Sequence, residues 1–144
     1  MKHFGIAIML FMAAALSACG NSSSSSAING NWTATLTGSQ NISFTATLTA
    51  SNGAVSITNL SFTTSQSCFD AGATATGTFA LAGTTNGVTT GTFQMTIQSS
   101  SSNSNGTNAL TLQGTLTNNS ITGNWTLTGT GAGCTGSGTF TMSN

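Results

Sequence analysis

From Ile28 to the C-terminus, apolar and hydroxyl-bearing residues alternate with a period of two, the pattern of strands that bury one face and wet the other. Trp32, Ala34 and Leu36 share one face against Thr33, Thr35 and Thr37; Ile42, Phe44, Ala46 and Leu48 then oppose Ser43, Thr45, Thr47 and Thr49. Ser51-Asn52-Gly53 predicts a hairpin, because Asn and Gly accept the positive φ of tight turns. Val55 and Ile57 continue the pattern. The apolar phase next slips by one residue to Leu60 and Phe62, which predicts a β-bulge near Asn59.

Thr63 to Ala73 breaks the alternation and reads as a loop carrying Cys68, Phe69 and Asp70. Gly77, Phe79 and Leu81 resume it, the chain turns between Gly83 and Gly87, and Gly91, Phe93, Met95 and Ile97 follow. A second, low-complexity polar loop spans Ser99 to Thr107. Leu110, Leu112, Gly114 and Leu116, a turn at Asn118-Asn119, then Ile121, Gly123, Trp125 and Leu127, and lastly Gly138, Phe140 and Met142 complete about eight strands. Such strands predict an all-β fold, an antiparallel up-and-down β-barrel with a β-sandwich as the alternative. A barrel is preferred because nearly uncharged strands with open edges would invite aggregation, and closure removes edges. Glycines in the inward phase suit sharp curvature or close packing beside a large ring.

The first residues differ from all this. Lys2, the apolar run Phe4 to Leu16 and the small residues after it have the three parts of a helical secretory signal, too short to span a bilayer. Leu16-Ser17-Ala18-Cys19 resembles the lipobox of bacterial lipoproteins, which implies acylation of Cys19 and cleavage just before it. Two or more acyl chains on one residue would hold a protein stably at a membrane. Gly20 follows in place of the Asp that marks inner-membrane retention in many Gram-negative lipoproteins, so the resemblance points to the cell envelope and, in a Gram-negative cell, to the outer membrane. The expected organisation is a cleaved signal at 1–18, a lipidated Cys and flexible Ser-rich tether at 19–27, and a barrel domain at 28–144.

Cleavage after residue 18 of 144 leaves 126 residues, one domain's worth, with no Lys, Arg, His, Glu, Tyr or Pro. Asp70 is their only charged side chain. Nucleic-acid binding needs Lys and Arg against phosphates, so it is excluded as a function class. Catalysis fares no better: a lone carboxylate forms neither a carboxylate pair nor a Ser-His-Asp triad, and the hydroxyls have no base to activate them. The chain is therefore read as a non-enzyme without metal or cofactor. With Cys19 given to lipid, Cys68 and Cys134 remain as an even pair in an oxidising compartment and are expected to form a disulfide; their spacing does not fit a redox motif, and no His or further Cys completes a zinc shell.

Ile28-Asn29-Gly30-Asn31-Trp32-Thr33 recurs as Ile121-Thr122-Gly123-Asn124-Trp125-Thr126, and each copy reads as the start of a strand where Gly turns the chain and Trp plugs one end of a core. Gly30-x-Trp32 also resembles the G-x-W that opens the barrels of lipocalins and avidin-like proteins. The basic residue that packs over that Trp in lipocalins is absent here, as are the Tyr and extra Trp residues of a biotin pocket, so the resemblance carries the fold and not the ligand. The whole layout is similar to small bacterial lipoproteins of unassigned function. Trp32, Phe44, Phe79, Phe93, Trp125 and Phe140 are candidates for either a packed core or a ligand-lined interior. Two roles follow: a structural or surface protein that meets glycans or its own copies, or a lipocalin-like module for a small uncharged or apolar ligand.

Overall fold

A computed structural model describes residues 25–64 and 68–144. Eight antiparallel strands close on themselves in chain order: β1 (Gly30–Gly38), β2 (Ile42–Ser51), β3 (Ala54–Phe62), β4 (Thr74–Thr85), β5 (Val88–Gln98), β6 (Asn108–Thr117), β7 (Ser120–Gly129) and β8 (Gly136–Ser143). The last pairs with the first, from Thr33↔Ser143 to Gly38↔Gly138. The fold is thus the expected up-and-down barrel, and the sandwich alternative is set aside. The lipobox residues Leu16, Ser17, Ala18 and Cys19, and the signal as a whole, lie outside the described residues.

Alternation in the sequence becomes a two-faced wall. Along β1, Trp32, Ala34 and Leu36 are buried while Thr33, Thr35 and Thr37 are exposed. The strand registers line up the outward hydroxyls across neighbouring strands, so that Thr35, Thr141, Thr122, Thr115 and Thr92 form one exposed row over β1, β8, β7, β6 and β5. The next row, Thr37, Thr139, Asn124, Gln113 and Gln94, is equally uncharged.

Inside, one cluster contains Trp32, Phe44, Phe79, Phe93, Trp125 and Phe140, each no more than 3% exposed. All six sequence candidates are therefore core side chains. Glycine makes room for the rings at inward positions, among them Gly114, where a Cβ would lie 2.9 Å from Phe140 Cζ, and Gly138, where one would lie 2.8 Å from Trp125 Nε1. Both distances are closer than side-chain carbons approach their neighbours, so these positions are fixed by packing.

The turns follow the residues that allow them. Asn52-Gly53 and Asn86-Gly87 have positive φ at both positions (51° and 82°, 51° and 77°), which matches the right-handed twist of the strands they join. The bulge expected near Asn59 is present: Thr45 pairs with Ser61 and Thr47 with Thr58, leaving an extra residue on β3, and Asn59 takes φ 51°. A further bulge falls on β4 between Leu81 and Gly83.

Two local readings change. Ile28 is not the beginning of a strand; with Ser25, Ser26 and Ala27, which the sequence reading gave to the tether, it forms a 3-10 turn and is fully buried. The indole N–H of Trp32 donates to the Ile28 carbonyl at 2.7 Å, which ties this turn to β1 as a plug. The second copy of the echo also departs from expectation. Gly30 opens β1 with φ 140°, but Gly123 lies inside β7, where no turn occurs. Trp125 nonetheless plugs an end, the opposite one, donating to the Thr37 carbonyl at 3.1 Å.

Candidate functional site

The barrel has a turn end and a loop end. At the turn end lie the 3-10 turn, the short β2–β3, β4–β5 and β6–β7 connections and the C-terminus, where Asn144 Nδ2 donates to the Asn29 carbonyl at 3.3 Å. The long β3–β4 and β5–β6 connections, together with the β1–β2 and β7–β8 loops, gather at the other end. Cys68 and Cys134 meet there as the expected disulfide (S–S 2.06 Å, Cα–Cα 5.6 Å), joining the β3–β4 loop to the β7–β8 loop.

Around this staple sits a polar network that the sequence reading missed. Asn108, the first residue of β6, is 3% exposed because it occupies an inward position at the mouth of the barrel. Its amide donates to the Cys68 carbonyl at 2.9 Å, its Oδ1 accepts from Gly131 N–H at 3.3 Å, and its own backbone N–H donates to Ser99 Oγ at 2.9 Å. Three loops thus meet on one residue. Asn103 reinforces it with a 2.8 Å bond to the same Cys68 carbonyl. A signal was available: Asn108 is in phase with Leu110 and Leu112, and an amide in the buried phase of a strand must find partners.

Asp70 clasps two loops. Its carboxylate accepts from the hydroxyl of Ser100 and from Ser100 N–H (3.2 Å), and its carbonyl accepts from Ala73 N–H at 3.0 Å. The Ser100 hydroxyl holds the Asp70 carboxyl below the usual carboxylate range against the opposing effect of desolvation, and backbone N–H groups add to the lowering.

Beside this clasp the barrel wall has a seam. β3 and β4 are joined only through Ala54↔Thr78 and Val55↔Gly77, while the β4–β5 ladder runs from Thr74↔Gln98 to Thr85↔Val88. Ile57, Leu60 and Phe62 of β3, with Ala73 and Ala75, pack against the core from this gap. Phe69 of the stapled loop is 6% exposed and stacks on Phe62 with ring centroids 5.0 Å apart and planes 5° from parallel, and Phe62 in turn meets Phe44 at 5.5 Å. A groove of about 530 Å³ lies beside the seam, between the end of β3 and the β3–β4 loop, lined by Leu60, Ser61, Phe62, Thr63, Phe69 and Asp70. A depression of the same size lies on the outer wall over Thr78, Ala80, Thr92, Gln94 and Gln113.

In chemical terms the loop end can accept and donate hydrogen bonds and offer the edge of an aromatic pair. Among the described residues no three His, Cys, Asp or Glu side chains come together as a metal site would require. Compared with known proteins, the chain matches no family model, no curated protein and no solved structure.

Proposed function

We propose that this chain is a lipid-anchored protein of the bacterial cell envelope, held through Cys19, that works by surface contact rather than by catalysis. One observation carries the reading. The interior of the barrel is occupied by its own side chains, with Trp32, Phe44, Leu36, Leu112 and Trp125 at most 1% exposed, so what the molecule offers to others is its outside. That outside consists of rows of Thr, Ser, Asn and Gln with a single carboxylate, which neither attracts nor repels charged partners over distance and hydrates well. Glycans and further copies of the chain are the partners such a surface suits.

A second reading, a module for a small uncharged ligand, is favoured by the seam groove, whose volume falls within the range of ligand sites. Extraction of the native protein from membranes, followed by mass spectrometry of what co-purifies, separates the two. A stoichiometric small molecule supports the module; glycan fragments or protein oligomers without one support the contact role. Cys19→Ser is expected to release the domain from the membrane fraction, and retention there would sink the anchor.

A further inference from the structure

The position of the 3-10 turn sets how the barrel stands relative to its attachment point. Ser25–Ile28 packs at the turn end, beside β2 and β4. Asn29 fixes it there by accepting from Ala50 N–H at 2.8 Å through its side chain, and Trp32 by donating to Ile28. Ser25 and Cys19 are only six chain steps apart, with five residues between them. Fully extended these steps reach about 20 Å, and as a Ser-rich coil about 13 Å.

The barrel is longer than that tether. Strands of 8 to 12 residues, tilted as barrel strands are, put the two ends about 25 Å apart. From an attachment beside the turn end, the tether cannot carry the loop end down to the surface that holds Cys19. Lying flat is the remaining alternative, and the wall gives it no support. Entry into a bilayer interface needs apolar or basic side chains. Beyond Lys2 the chain has neither Lys nor Arg, and the one large apolar side chain exposed among the described residues is Val88, at the turn end.

We infer that the barrel stands upright with its turn end, Val88 included, against the lipid surface and its stapled loop end, seam groove included, facing away. The inference rests on the lipid anchor proposed above. It makes the Cys68–Cys134 cap the presented face of the molecule, and the Asn52-Gly53, Asn86-Gly87 and Asn118-Asn119 turns the membrane-facing side.

The absence of Lys from the processed chain allows a clean test. Asn119→Lys places a single side-chain amine at the turn end and Ser101→Lys places one at the loop end, both at exposed turn positions. Each full-length, lipidated variant is labelled with an amine-reactive fluorophore and reconstituted in phosphatidylcholine vesicles carrying a nitroxide headgroup. Unsubstituted protein gives the background from the chain terminus, and thermal midpoints confirm folding. The label at 119 is expected to be quenched several times more strongly than the label at 101. Equal quenching, or stronger quenching at 101, overturns the orientation and leaves the anchor standing. A Cys19→Ser form that still sediments with the vesicles overturns the anchor and the orientation with it.

Discussion

At the turn end, the groups that close the barrel are mostly close together in sequence, with Asn52 beside Gly53, Asn86 beside Gly87 and Ile28 four residues from Trp32, and the bond from Asn144 to Asn29 is the long-range exception. At the loop end they are far apart. Asp70 and Ser100 are separated by 30 residues, Cys68 and Asn108 by 40, and the two cysteines by 66. A turn built from adjacent residues loses little chain entropy when it forms, whereas contacts between distant loops must first offset the cost of bringing those loops together. The difference teaches why a covalent bond and a buried amide sit at one end only.

The comparison is broken most severely at the staple. Replacing Cys68 and Cys134 together by Ala should destabilise the domain by about 4 kcal/mol, the loop-closure entropy of the 66-residue separation. Denaturant unfolding measures the loss. Hydrogen exchange should show faster opening at residues 99–107 than at the Asn52-Gly53 turn, and uniform acceleration would mean that the two ends are not independent.

Asn108→Ala comes next. It removes one of the two donors to the Cys68 carbonyl and the acceptor of Gly131 N–H, and a loss of about 3 kcal/mol is expected. A loss near zero in chemical denaturation would show that water replaces the amide. At the turn end, Trp32→Phe keeps most of the ring but leaves the Ile28 carbonyl without its donor, for about 2 kcal/mol. Loosening of the 3-10 turn, read by exchange at residues 25–29, should accompany it. Asn52→Ala, at φ 51°, should cost about 1 kcal/mol because an ordinary side chain resists that conformation.

The smallest effect concerns pH. Asp70 has a lowered value in the fold, so the folded state favours the carboxylate. Its contribution is present above the ordinary carboxylate range and is lost as pH falls through the lowered value. No other side chain in residues 25–144 is Lys, Arg, His, Glu or Tyr, and both cysteines are in the disulfide. Thermal midpoints should therefore stay flat from about pH 5 up to strongly alkaline solution. Asp70→Asn should lower the plateau by the carboxylate's contribution and remove that side chain's share of the decline on the acid side.

Much of the fold was legible along the chain because a barrel of this kind is a local object. Each strand pairs with its sequence neighbours, alternation tells which face is buried, and Asn-Gly marks the turns; even the bulge at Asn59 announced itself as a slip between Ile57 and Leu60. The 3-10 turn was hidden for a related reason. Ile28 fits the apolar phase of the strand after it, and nothing in a run of Ser marks the residues before it as packed.

The chain by itself determined the alternating strands with their inward and outward faces, favoured a barrel over a sandwich, and held the inventory that leaves Asp70 as the only charged side chain beyond residue 18. It also left Cys68 and Cys134 as a pair once Cys19 is assigned to the proposed anchor. Tertiary structure decided what occurs between distant loops: the three-way role of Asn108, the clasp of Asp70 on Ser100, the stack of Phe69 on Phe62, and the opposite ends taken by Trp32 and Trp125. The physical reason is that periodicity records which way a side chain points relative to its own strand, while the closing of a loop end depends on which loops the curvature of the sheet brings together.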